Sequence, residues 1–199
     1  MSLDLSPLLN GLKWGEYATT HQVTPVQLHE TTVALYATVR ELLADCIDAH
    51  ITFMPIDPHA KDPDAKPGEE NIGWGLGHLV AHVTATNEEN ACIASILARG
   101  IEFNGRLRFE TEWQTITTVE QTRQRLNESE RMVLAYLNAF PDSPNSVILR
   151  QFTSEKAQAY FGDLNGIANF LLGLGHMNEH LAQFREVKRQ ALEAHPIAS

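Results

Sequence analysis

Four stretches of this chain repeat apolar residues at helical spacing, and only short pieces alternate as strands do. In the first, Leu28, Leu35, Val39, Leu42 and Cys46 recur at steps of three, four and seven. Thr24-Pro25 ahead of them reads as an N-cap with proline at the first helical position, and the helix is expected to run to about His50. The second is expected to begin near Ile72 to Trp74, carry Leu76, Val80, Val83 and Ile96, and end at Gly100, a natural glycine C-cap. A capping box, Thr118-Val119-Glu120-Gln121, opens the third, which continues through Leu126, Val133, Leu137 and Phe140 to Pro141. Asp163 is the expected N-cap of the fourth, which carries Ile167, Phe170, Leu174, Met177, Leu181 and Phe184 to about Ala194. Arg185, Lys188 and Arg189 suit the negative end of its dipole.

What joins these helices is irregular. Pro55, Pro58, Pro63 and Pro67 exclude a helix between about Ile51 and Asn71. Residues 101–117 contain brief alternation in Ile101-Glu102-Phe103 and Leu107-Arg108-Phe109, and residues 141–163 contain Val147-Ile148-Leu149, so short strands are an option in both. Up to Gln22 little is periodic, with one helical turn expected at Ser6-Pro7. Four helices with one apolar stripe each bury it best against one another. The expectation is an all-α fold: a four-helix bundle in one domain, 1–199 with its core at about 24–194, and long irregular connections after the first three helices.

Charge then narrows the function. With 15 Lys and Arg against 25 Asp and Glu the net charge is −10, which argues against nucleic acid and against an anionic membrane surface. Two cysteines without a CxxC motif, Cys46 and Cys92, read as buried thiols in a reducing cytosol. Met1-Ser2-Leu3-Asp4-Leu5 lacks the basic and long apolar stretches of a signal peptide, and Ile167 to Gly175 is too short to span a bilayer. The expected location is cytoplasmic and the expected partner a small-molecule substrate, with a homodimer through a helix face left open.

One string occurs twice. Gly75-Leu76-Gly77-His78-Leu79-Val80-Ala81-His82 and Gly173-Leu174-Gly175-His176-Met177-Asn178-Glu179-His180 are both GLGHxxxH, and both fall on expected helices. Histidines at i and i+4 share a helix face, so their ring nitrogens can converge on one ion. Nine histidines in 199 residues would give about 0.4 such pairs by chance, and two are present. Imidazole-rich sites suit zinc, nickel, iron or copper. Three protein ligands leave a position for water or substrate, whereas four close the site. Gly75, Gly77, Gly173 and Gly175 serve either close helix approach or room for a ligand.

The string His176-Met177-Asn178-Glu179-His180 is also H-x-x-E-H, the inverted zinc-peptidase motif, with Glu179 in the place of its general base. Those enzymes take a third, acidic ligand from far downstream, and only 19 residues follow His180, which argues against that chemistry. Trp74 reads as a helix-start staple or a pocket wall, Glu88 and Glu89 as solvated, and His29 and Tyr36, on one face at i and i+7, as surface or core with a pocket position as the alternative. His21, His50, His59 and His195 receive no role, and no nucleophile elbow, P-loop or dinucleotide fingerprint is present.

The segments Trp74 to His82 and His176 to Phe184, with the helix order over about 24–194, resemble the DinB-like (DinB/YfiT) metal-binding four-helix bundles. That resemblance implies a divalent transition metal (zinc, nickel or iron) held by one histidine of the second helix and by His176 and His180. In related mycothiol-dependent maleylpyruvate isomerases the second-helix ligand follows the Trp by eight positions, pointing to His82. In related ergothioneine-pathway sulfoxide synthases it follows by four, pointing to His78. The remainder of the helix to Gly100 resembles the family and favours His82, with His78 as an alternate or fourth ligand. Trp74, Glu179 and Gln183 would line the pocket or support the ligands. The implied activity is that of a metal-dependent S-transferase, isomerase or hydrolase that activates a thiol or water, with a low-molecular-weight thiol as cofactor. The alternative is a metal-stabilised binding or structural bundle without catalysis, and behind it a plain bundle without metal.

Overall fold

A computed structural model describes residues 1–61, 67–107, 109, 111–152 and 154–197. Pro63 of the proline-rich connection and Arg108 of the Leu107–Phe109 alternation lie outside them. Eight α-helices are present among the described residues: α1 (Ser6–Leu9), α2 (Trp14–Thr20), α3 (Pro25–Leu43), α4 (Asp48–Ile51), α5 (Leu76–Ala98), α6 (Val119–Asn138), α7 (Glu155–Phe161) and α8 (Gly166–Ala194). The four long ones, α3, α5, α6 and α8, pack as a bundle, and the protein is all-α. Where strands were an option, the described residues form only one isolated parallel bridge, Asn104 with Gln151. None of the described helices is long and apolar enough to cross a membrane.

Local chemistry sets most helix ends. Thr24 with Gln27 and Thr118 with Gln121 form reciprocal capping boxes at the starts of α3 and α6. Gly100 closes α5 with φ of +77°. Three ends differ from expectation. The first long helix stops at Leu43 rather than near His50, because Ile47 is extended and begins the separate turn α4. There His50 is buried; its Nδ1 accepts from Ile47 N–H, and its Nε2 lies 2.7 Å from the His195 carbonyl. The second long helix starts at Leu76, with Gly75 as its cap, so Trp74 precedes the helix. The fourth is capped by Asn165, which accepts from Ala168 N–H, rather than by Asp163.

Around the bundle the order is α3, α6, α5, α8, so α3 and α5 stand on one diagonal and α6 and α8 on the other. Residues 44–75 and 139–165 are the long connections that cross these diagonals. Because α6, α8 and the turn Trp113–Thr115 pack on it, α5 has 18 of its 23 residues buried, where one apolar stripe was expected. By contrast α6 buries a single row, Thr122, Leu126, Ser129, Val133 and Leu137. Tyr36 of α3 ties the far side together through a 2.7 Å bond to Ser129 of α6, while His29 is exposed.

The expectation of one turn near the start missed α2, which packs on the outer side of α8. Its Trp14 ring lies against Gly175, where a Cβ would come within 2.2 Å of ring carbon Cζ3. Helix propensity alone favours alanine over glycine here by about 1 kcal/mol, but the buried indole would have to shift. Gly175→Ala is therefore expected to destabilise the protein by about 1–3 kcal/mol, read as a lower urea midpoint with an unchanged m-value.

Candidate metal centre

The two GLGHxxxH strings meet because α5 and α8 run antiparallel in close contact. Gly166 lies against Ala94 and Ala98, Gly173 against Asn87 and Asn90, and one step further along His176 meets His82. At Gly173 a Cβ would lie 2.9 Å from Asn87 Oδ1, and at Gly77 it would lie 2.5 Å from the Ile116 carbonyl. The glycines beside the histidines thus serve close approach. They let neighbouring elements press directly on the helix backbone and so fix where the imidazoles sit.

His82, His176 and His180 form one group whose candidate ligand atoms all lie within 4.8 Å of one another. His82 Nε2 and His176 Nε2 are 3.1 Å apart. Nitrogens on a tetrahedral zinc ion at about 2.0–2.1 Å would be about 3.3 Å from each other, so this pair already has the spacing of two ligands. His180 Nδ1–H donates to Gln183 Oε1 at 2.8 Å, which turns the Nε2 lone pair of His180 toward the group. His176 Nδ1 is buried without a hydrogen-bond partner. Donor chemistry, spacing and ring orientation together fit a divalent transition ion.

Trp74, in the extended segment before α5, is the floor of the site. Its ring lies 4.5 Å from that of His82 and 5.9 Å from that of His180, between centroids. His78 takes a different place. It is stacked between Trp74 at 4.6 Å and Trp113 at 4.7 Å, the latter almost parallel at 3°. The structure therefore gathers three of the four repeated histidines and sets the fourth in an aromatic sandwich. Of the other expected pocket residues, Gln183 orients His180, whereas Glu179 is on the exposed flank of α8. Partial burial holds the Glu179 carboxyl above its usual range, but among the described residues it makes no bond to the three imidazoles. The third imidazole comes from far upstream, so the inverted peptidase arrangement is not assembled.

Sequence reasoning missed the charges around this centre. Glu88 and Glu89, expected to be solvated, are buried. Glu88 pairs with Arg125 of α6 at 2.7 Å. Glu89 Oε1 faces Arg150 at 3.6 Å and Glu89 Oε2 faces Arg106 at 3.3 Å. Arg150 is itself buried and donates to Asn90 Oδ1 and Asn169 Oδ1, both at 3.0 Å. A hint was present: residues 87–90 are an unbroken polar run in a helix that has no Lys or Arg until Arg99. A run facing water would not need basic partners from three other segments.

Compared with protein-family models, with curated proteins and with solved structures, the chain matches none.

Burial, followed by the proximity of His176 and His180, pushes His82 down to about 2; burial and His180 push His176 down to about 3. His180 is lowered by burial as well. All three are neutral near pH 7, as nitrogen ligands must be. In the unfolded chain the same imidazoles take up protons near their ordinary value of about 6.5. Their contribution is thus intact above that value and is lost as pH falls toward the folded values. Metal-free protein is expected to melt at progressively lower temperature from about pH 7 to about pH 5. The fall should be shallower in His82→Gln, as measured by thermal denaturation monitored by circular dichroism.

Proposed function

We propose that this chain is a DinB-like metal-dependent enzyme of the S-transferase, isomerase or hydrolase type, in which His82, His176 and His180 hold one divalent transition ion such as zinc, nickel or iron. The observation that carries the reading is the three-imidazole group itself, drawn from two helices and with His82 Nε2 and His176 Nε2 at 3.1 Å. Such an ion supplies Lewis-acid charge that lowers the pKa of a thiol or a water sharing the site. The residues of the chain prepare the place. Two antiparallel helices present neutral nitrogens, Gln183 selects the tautomer of His180, and Trp74 covers one side of the His82 and His180 rings. The stacking of His78 between two indoles supports three ligands and an open position over a closed, purely structural four-histidine site.

The test is the metal content of protein purified without an affinity tag, next to a His176→Ala/His180→Ala variant. Wild-type protein is expected to carry about one equivalent of metal, as a single three-histidine site would, and the double variant none. Added zinc should raise the melting temperature of metal-free wild-type protein only. Wild-type protein that is empty and takes up none of the added metals would overturn the proposal.

A further inference from the structure

Although the chain carries a net −10, two arginines, Arg106 and Arg150, gather on Glu89 of the helix that carries His82. Arg106 follows Gly105, whose φ of +105° turns the chain after α5, on a segment tied down by the bond from Gln151 N–H to the Phe103 carbonyl. Its Nε–H donates to Glu89 Oε2, while the other oxygen of Glu89 faces the buried Arg150. Glu89 stands seven residues after His82, two turns along the same face of α5 and about 10 Å up the axis. The residues at the turn between them, Ala85 and Thr86, are short.

Arg106 is not used up by this pairing. Its side chain is 50% exposed while that of Glu89 is 7% exposed. Among the described residues no protein acceptor takes the hydrogens of its terminal nitrogens, Nη1 and Nη2. With Nε engaged, what remains is the end-on fork of Nη1 and Nη2, whose parallel hydrogens match the two oxygens of a carboxylate.

We infer that the substrate or thiol cofactor of the candidate centre is an anion, with one end directed to the three imidazoles and a carboxylate held by the Arg106 fork. This rests on the reading of the site as a metal centre, and it assigns Arg106 a binding role. The buried Arg150 and its two asparagines hold Glu89, and Glu89 in turn aims Arg106.

The experiment titrates mercaptohexanoate and its neutral analogue mercaptohexanol by calorimetry into cobalt-loaded and metal-free protein. It uses wild type, Arg106→Gln and Arg106→Lys. Wild type should bind the carboxylate about tenfold more tightly than the alcohol, the size of one charge-assisted contact. Arg106→Gln should lose that preference while keeping its affinity for mercaptohexanol and for cobalt, and Arg106→Lys should keep part of it. Equal affinities for the two probes in wild type, or a preference that survives in Arg106→Gln, would overturn the inference. Cobalt uptake is read separately. Wild-type protein that takes none refutes the metal centre, and the carboxylate preference of the metal-free protein then decides the role of Arg106. Should Arg106→Gln fail to fold, the preference in Arg106→Lys decides: an unchanged tenfold preference overturns the fork, because a lysine cannot supply it.

Discussion

The close antiparallel contact of α5 and α8 governs the rest of this molecule. Ordinary side chains would hold two helix axes about 8–10 Å apart. Here glycines at 77, 166, 173 and 175 remove the side chain wherever another element presses in: the Ile116 carbonyl, α5 itself, or the ring of Trp14. With α8 seated this firmly from both sides, imidazoles of modest length reach each other across the gap. The glycines weaken the helices that carry them, and the packing they permit outweighs that loss.

The same tight seam explains the polar layer beside the imidazoles. A helix buried on nearly all sides has nowhere to send charged residues, so Glu88 and Glu89 take their partners from α6 and from the loops that follow α5 and α6. Such pairs seldom add net stability compared with well-packed apolar residues, but losing one partner costs about 3–5 kcal/mol. Their effect is to fix register. Arg150 must meet Asn90, Asn169 and Glu89 together, which no sliding of α8 along α5 would satisfy. The imidazole group is thereby held at one level of the bundle.

What could be seen in the amino-acid sequence was whatever a few neighbouring residues decide. The capping boxes at Thr24 and Thr118, the glycine stop at Gly100 and the buried row of α6 are of this kind. So was the meeting of the two GLGHxxxH strings, because paired histidines on an apolar helix need partners. Spacing could not separate His78 from His82, which lie one above the other on one face. The difference is made by Trp113, on the connection after α5, which closes over His78 and leaves His82 to face α8. Burial of Glu88 and Glu89 was hidden for a similar reason: their arginines are remote in the chain. The N-cap shifted from Asp163 to Asn165 because either residue suits that place, and the packing of Gly166 on α5 decides between them.

The crossing of both diagonals bears on how the protein comes to be folded. Helical bundles usually assemble quickly because hairpin neighbours touch. Here α3 and α5 are successive long helices yet opposite, and the contact between His82 and His176 joins residues 94 positions apart. Closing a loop of that length exacts its conformational entropy before the contact returns anything. The α5–α6 hairpin can form early, but the imidazole group exists only once the chain has gone round and α8 has docked. An ion that needs all three rings would have no counterpart site in a half-folded chain, so the final docking step and the capacity to hold it are a single event.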